Sequence, residues 1–406
     1  MARRQGSGAG CGCLTFFLVF IIGLAFCVWH FGLVDRLLYL VSVQQGTSHL
    51  SEQSAARIDA EERGLYVYEQ LGESDRELYR IMLDAFQTRE SRTYPEMSMD
   101  EVARMRDLVL ADHPELFYIN GVSQLTTTNR DSGLVVGMTI EGQYAYTEEE
   151  AEQLQGVIDG VVADCLGGAP DGDDYAKARY FYEYLANTTE YDRDAAAAGQ
   201  GEVGADEAQV SAGQTIADVF ASRKAVCGGY ARAYQYLLQQ VGIQCVYITG
   251  SANGGRHAWC LAYLDGAYYY VDPTWGDPQF LGAEGEEVPE SNFVNYDYLG
   301  VTTADIARTH VLATDFMVPE CSSTVDNYYV REDLMFDAPD GERLGRLAAQ
   351  AAEQGGNVQV RCTDAAVYTE LLDSVVSSGS LANYLPSDSY RYTHSDDFLT
   401  IAIFPS

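Results

Sequence analysis

Asp265-Gly266 lies between two apolar runs, Trp259-Cys-Leu-Ala-Tyr-Leu264 and Ala267-Tyr-Tyr-Tyr-Val271, and an Asp-Gly pair so flanked is the strongest short-range signal for a two-residue β-hairpin. The turn sets a register. With Asp265 and Gly266 as the loop, Leu264 faces Ala267, Trp259 faces Asp272 and His257 faces Thr274. Side chains alternate across a strand, so His257, Trp259 and Asp272 point to the same side of the sheet. His257 and Asp272 become diagonal neighbours, about 7–8 Å apart along the backbone and within reach of an imidazole and a carboxylate.

A thiol precedes this pair. Beyond Cys227, the residues Ala231, Tyr234, Leu238 and Val241 repeat at helical spacing, and Gly242 stands where a glycine ends a helix. Cys227 therefore opens the helix, where unpaired N–H groups and the positive end of the dipole favour a thiolate. Cysteines so placed beside a histidine have pKa values lowered from about 8.5 to roughly 3.5–7.5. A sulfur to attack, a base to ionise it and an acid to orient the base are the parts of nucleophilic thiol chemistry. Gly228 and Gly229 are expected to let a substrate backbone approach the sulfur, and Trp259 and Trp275 to wall the site from water. Each residue also has a plainer reading. A single buried Cys is more often an inert core residue, a single His satisfies a local hydrogen bond, Asp-Pro-Thr is an ordinary turn, and tryptophans pack cores. Their joint placement favours a reactive centre.

The 406 residues are enough for two or three domains, and 47% hydrophobic with 12% aromatic residues supports packed cores. Twenty-five basic against sixty acidic residues give a net charge of −35, which repels nucleic acid and leaves no basic surface for phosphates. Lys177 and Lys224 are the only lysines, so the chain is a poor lysine donor to any cross-linking reaction. Of nine cysteines, Cys11, Cys13 and Cys27 lie at the N-terminus and six follow. That density is too low for a disulfide framework, although a Cys321–Cys362 pair is open, with unpaired buried thiols as the alternative. No C-x-x-C or His/Cys cluster has zinc spacing, so no metal or other cofactor is implied.

Residues 13–34 form an apolar run without Asp, Glu, Lys or Arg. Twenty-two residues at about 1.5 Å each span about 33 Å, enough to cross a hydrocarbon core of about 30 Å. Arg3 and Arg4 before the run and acids after it predict a single-pass anchor in the cell membrane, with residues 1–12 cytoplasmic and the bulk extracytoplasmic. Residues 35–60 read as a stem. An N-terminal α+β region over 61–150 follows, with capping boxes at Ser74-Asp-Arg-Glu77 and Ser98-Met-Asp-Glu101 and a strand over 134–140. A catalytic domain is expected over 151–317, with helices capped by Thr147 and by Asp173 or Asp174. Within it, residues 194–213 are rich in Ala, Gly and acids, as in a flap or a solvated connector. Residues 318–406 read as a small α+β domain of split βαβ type, with helices over 341–354 and 364–377 and strands over 358–362 and 398–403.

The runs Lys224-Ala-Val-Cys-Gly-Gly-Tyr-Ala, Gly242-Ile-Gln-Cys, His257-Ala-Trp and Tyr270-Val-Asp-Pro-Thr-Trp-Gly-Asp-Pro278 resemble the transglutaminase-like superfamily over about residues 174–312. With the anchor, the resemblance suggests a bacterial membrane-anchored member. It implies a papain-like α+β core in which Cys227 is the nucleophile, His257 the general base and later acid, and Asp272 the residue orienting the imidazole. The family also needs an oxyanion donor upstream of the cysteine, for which Tyr191 and Gln214 are the candidates, with the Cys227 backbone N–H as a second donor. Cys260 after Trp259 and Pro273 after the aspartate depart from the usual pattern without removing a catalytic group. Animal transglutaminases use calcium, but Asp171, Asp173 and Asp174 are only a fragment of an acidic loop. The implied function is an extracytoplasmic thiol acyl-transfer enzyme that forms a thioester from a peptide or amide carbonyl, as a peptidase, amidase or transglutaminase. Its partners would be peptides or proteins, cell-wall peptide among them. The alternative is an inactive transglutaminase-like binding or scaffold module at the cell surface.

Overall fold

A computed structural model describes residues 50–94, 98–128, 135–199, 212–277, 293–386 and 389–405. The apolar run over 13–34 lies outside these residues, and no helix among the described residues is long and apolar enough to cross a membrane. The described residues divide into two compact units, one within 50–63, 71–107 and 121–143 and the other within 64–70, 108–120 and 144–405.

In the first unit, helix Glu73–Thr88 buries Leu78, Ile81, Met82 and Ala85, which recur at helical spacing, together with Phe86. The Ser74 capping box does not form, because the helix already begins at Glu73 behind Gly72. The Ser98 box does form, with the Glu101 N–H donating to Ser98 Oγ at 3.2 Å and the Ser98 N–H to Glu101 Oε2 at 2.8 Å. Strand Arg92–Tyr94 pairs antiparallel with Val135–Tyr144.

The second unit is built around helix Cys227–Gln240, whose Tyr230, Ala231, Tyr234, Leu237 and Leu238 are completely buried. Each large apolar side chain so buried contributes roughly 1.5–3 kcal/mol. The helix ends as its sequence requires, with Gly242 at φ +78° and the Ile243 N–H returning to Leu238 O at 3.0 Å. It packs on a five-stranded antiparallel sheet ordered His310–Leu312, Cys245–Ala252, Gly255–Leu264, Ala267–Val271 and Leu299–Val301. Gln235 locks helix to sheet by donating to Cys245 O at 3.2 Å, and the Cys260 thiol does so by donating to Ala231 O at 3.2 Å.

The Asp265-Gly266 turn has both residues at positive φ, 46° and 101°, as a turn of primed type requires. The expected register holds from Leu264–Ala267 to Cys260–Val271. One residue further, the strand stops because Asp272 turns out to cap a short helix, Pro273–Gly276. Thr147 and Glu150 form a capping box, and Asp173 caps helix Asp174–Thr188. Asp173 also pairs with Arg331, while Asp174 Oδ2 accepts the Asp265 N–H at 3.3 Å, so these acids serve helix starts and the hairpin turn. Of residues 194–213, the first six belong to helix Arg193–Gly199 and 200–211 lie outside the described residues. Cys165, Cys227, Cys245, Cys260, Cys321 and Cys362 are all free thiols, so Cys321 and Cys362 are not paired.

Toward the C-terminus, a four-stranded sheet is ordered Met335–Phe336, Val358–Cys362, Thr400–Pro405 and Tyr390–Ser395, with helix Gly341–Glu353 crossing between the first, parallel pair. The helix expected over 364–377 holds α geometry only from Ala365 to Leu371 and continues as a π-turn to Ser377. Leu344, Val360 and Ile401 belong to the same buried cluster as Tyr182 and Leu237.

Candidate active site

Cys227 is the first residue of its helix, behind Val226, which has extended backbone and no capping side chain. Its N–H is one of those that a helix leaves without an intrahelical acceptor. The thiol is half-buried and packs at the edge of the main core. His257 comes from the central strand of the sheet, Gly255–Leu264, opposite Gly250. A side chain at Gly250 would strike Val311 O at 2.1 Å and the Trp259 ring at 2.7 Å, so glycine there lets the strands and the indole close over one another.

His257 Nε2 donates to Asp272 Oδ2 at 2.7 Å, which leaves Nδ1 for the sulfur, and the Cys227 side chain is hydrogen-bonded to this imidazole. Burial pulls the His257 imidazolium down, but the charge and hydrogen bond of Asp272, with those of Cys227, outweigh it and raise the pKa to about 10. For Asp272, burial pushes upward, yet the charges and hydrogen bonds of His257 and His310 hold the carboxyl well below its usual range. Asp272 is fully buried, and its Oδ1 accepts the backbone N–H groups of Thr274 at 3.0 Å and Trp275 at 3.4 Å. The helix cap and the imidazole partner are therefore one carboxylate.

Trp259 and Trp275 flank the imidazole, with ring centroids 6.0 and 5.7 Å from His257, and both are buried. A second imidazole lies in the same aromatic box. His310 Nε2 donates to the same Asp272 Oδ2 at 3.1 Å, and its ring is 5.2 Å from that of His257. Sequence reasoning missed this residue. The only local signal is Thr309-His-Val-Leu312, a three-residue strand at the sheet edge without periodicity or motif. Donor atoms of His257, Asp272 and His310 lie within 4.8 Å of one another, as metal ligands would. In this structure the two Nε2 atoms lie 2.7 and 3.1 Å from Asp272 Oδ2, at the length of imidazole–carboxylate hydrogen bonds.

Tyr191 and Gln214 both lie beside the start of the Cys227 helix. A two-residue parallel bridge sets Tyr191 beside Ala225, two positions before the thiol. Burial, then the charges of Cys227 and Asp272, hold the Tyr191 phenol in its protonated, donating form. Gln214 lies over the helix start: a Cβ on Gly228 would fall 1.7 Å from Gln214 Oε1. Arg232, from the next turn, donates to Gln214 O at 3.2 Å and stacks on the Tyr247 ring at 3.9 Å. These contacts correct the expected role of the two glycines. The space over Gly228 and Gly229 is filled by the chain's own Gln214 side chain and Gly213 carbonyl, not left open for a substrate backbone.

The family model of the transglutaminase-like superfamily matches residues 165–273. Those residues are a transglutaminase-like domain. Cys227, His257 and Asp272 all fall inside the match. The mouse kyphoscoliosis peptidase (Mus musculus) is 35% identical over 71 residues, 14% of this chain and 11% of that protein. The human protein (Homo sapiens) is 34% identical over 71 residues, with the same shares. The chain thus spans about a tenth of the length of these curated relatives. Among solved structures, a TGase crystal structure aligns at 16% identity and a TM-score of 0.27, covering 46% of this chain and 52% of that one. The transglutaminase-like domain shares its buried core with residues on its C-terminal side, including Leu299 and Tyr329.

Proposed function

We propose that the protein is a thiol acyl-transfer enzyme acting on peptide or amide carbonyls through a thioester on Cys227. The observation that carries this reading is a single imidazole, His257, held between Asp272 and the Cys227 sulfur. A histidine so clamped takes the thiol proton, and the sulfur pair attacks the carbonyl carbon to form the C–S bond. The carbonyl oxygen, now negative, accepts from the Cys227 N–H and from the Gln214 amide or the Tyr191 phenol. The His257 imidazolium then protonates the leaving amine as the C–N bond breaks. Water or a second amine, deprotonated by His257, attacks the thioester; the C–S bond breaks, the acid or a new amide leaves, and the Cys227 sulfur is left paired with the protonated imidazole. Trp259 and Trp275 keep bulk water from the imidazole, and Asp272 holds its orientation. The substrate is a peptide or protein outside the cytoplasm, including cell-wall peptide, and the 13–34 run anchors the enzyme in the cell membrane.

The test is incubation of the purified protein with a peptide library, with and without a fluorescent amine. New peptide termini identify hydrolysis and amine incorporation identifies transfer. Neither product, or products retained in Cys227→Ala, counts against the proposal.

A further inference from the structure

We propose that His310 is a positioning residue of this site, the donor that pins Asp272 Oδ2 against His257; the inference rests on the acyl-transfer reading above. An ionised carboxylate offers about four lone-pair sites. In Asp272 all four are filled, by the N–H groups of Thr274 and Trp275 on Oδ1 and by the two imidazole Nε2–H groups on Oδ2. The group is fully buried, so no solvent donor can replace a missing one. Without His310, Oδ2 keeps one unfilled site, and the side of the carboxylate that meets His257 is held by a single bond.

The other ring nitrogen of His310 also has a partner. Thr309 Oγ1 lies 2.8 Å from His310 Nδ1, the ring nitrogen that Asp272 does not meet. Tyr298 Oη lies 3.4 Å from the same Thr309 oxygen. Read in one direction, Tyr298 donates to Thr309, Thr309 to His310, and His310 to Asp272, which then accepts from His257. The ring is fixed in place by Trp259, Trp275 and Tyr298, with centroids at 4.8, 4.9 and 5.6 Å. Among the described residues, the titratable groups with contacts to His310 are Asp272, His257 and Tyr298. The buried acid is thus shared between the imidazole that meets the sulfur and one that does not.

The experiment measures Cys227 alkylation by iodoacetamide in the full chain, by mass spectrometry, from about pH 5 to pH 10, for wild type, His310→Phe, His310→Gln and Thr309→Val. Phe keeps the ring volume and loses the donor, so alkylation near pH 6 should fall about 10-fold, the weight of one charge-assisted hydrogen bond, and converge with wild type near pH 10. Gln restores a side-chain N–H at the Nε2 position and should recover the rate to within about threefold. Thr309→Val, the milder change, should lie between. A Phe profile superimposed on wild type, or a Gln variant no better than Phe, overturns the inference. Downfield proton NMR gives a readout that does not depend on reactivity. His310→Phe should remove one imidazole N–H resonance and shift that of His257. If wild-type Cys227 is itself unreactive, the acyl-transfer reading falls while this spectrum still decides on His310: a His257 resonance unmoved in the Phe variant overturns its role.

Discussion

Gly228→Ala separates the oxyanion role proposed for Gln214 from the stability of the fold. The new Cβ would lie 1.7 Å from Gln214 Oε1 and 2.9 Å from its Cδ, so the amide must swing away. That amide ends a flexible side chain, and the third neighbour, Arg232 Nη1, is at 3.4 Å. Alanine also gains about 0.5–1 kcal/mol over glycine inside a helix, so folding stability should change by less than about 1 kcal/mol. Acylation should not survive so well. Displacing one oxyanion donor costs on the order of 10²–10³ in rate. Formation of the acyl-enzyme from an activated ester, followed by intact mass spectrometry, should therefore slow by about 10²-fold in Gly228→Ala. Alkylation of the same thiol, which forms no oxyanion, should stay within about threefold of wild type. Gln214→Ala should match it, and the double variant should be no slower than either single one, because both remove the same donor. Unchanged acylation in Gly228→Ala, or losses that add in the double variant, would refute the assignment of Gln214.

Gly229→Ala should behave in the opposite way: its Cβ meets the Gly213 backbone oxygen at 2.5 Å and Ala225 Cβ at 2.8 Å, neither of which can rotate aside, so urea unfolding should show a loss of about 1–3 kcal/mol. Asp272→Asn should bring the His257 titration, followed by its Cε1 proton, from about 10 to near or below the ordinary value of about 6.5; a titration still near 10 would contradict the pairing. The pair also sets a pH window for stability. The raised His257 contributes fully below about 6.5 and loses its contribution as pH climbs toward 10, whereas the lowered Asp272 contributes above about 3.9 and loses it in acid. The stability difference between wild type and Asp272→Asn should therefore be greatest from about pH 4 to 6.5, and a difference that grows above pH 8 would reverse the sign of the argument.

The site was legible where its geometry is local. Asp265-Gly266 dictated the hairpin, whose register runs to Cys260–Val271 and delivers Asp272, one residue on, to His257 as a helix cap, and Gly242 marked the end of the helix that Cys227 begins. Patterning was less informative where several starts compete, as at Ser74, where Gly72 and the acidic Glu73 open the helix before the capping box can act. His310 escaped because its strand has three residues and meets its neighbour across a long connection, so the contact with Asp272 is a product of tertiary closure. The same holds for Gly228 and Gly229. Their sequence reports a close approach but not by what, and the answer is the chain's own Gln214 side chain and Gly213 carbonyl.

The central claim is that the Cys227 sulfur is activated by the His257–Asp272 couple. Its most direct measurement is the rate of iodoacetamide addition at Cys227 near pH 6, compared with glutathione and with the His257→Ala variant. The account predicts a wild-type thiol at least about 10-fold faster than glutathione, with the advantage abolished in His257→Ala. A Cys227 that reacts no faster than the free thiol, or one indifferent to loss of His257, would contradict it.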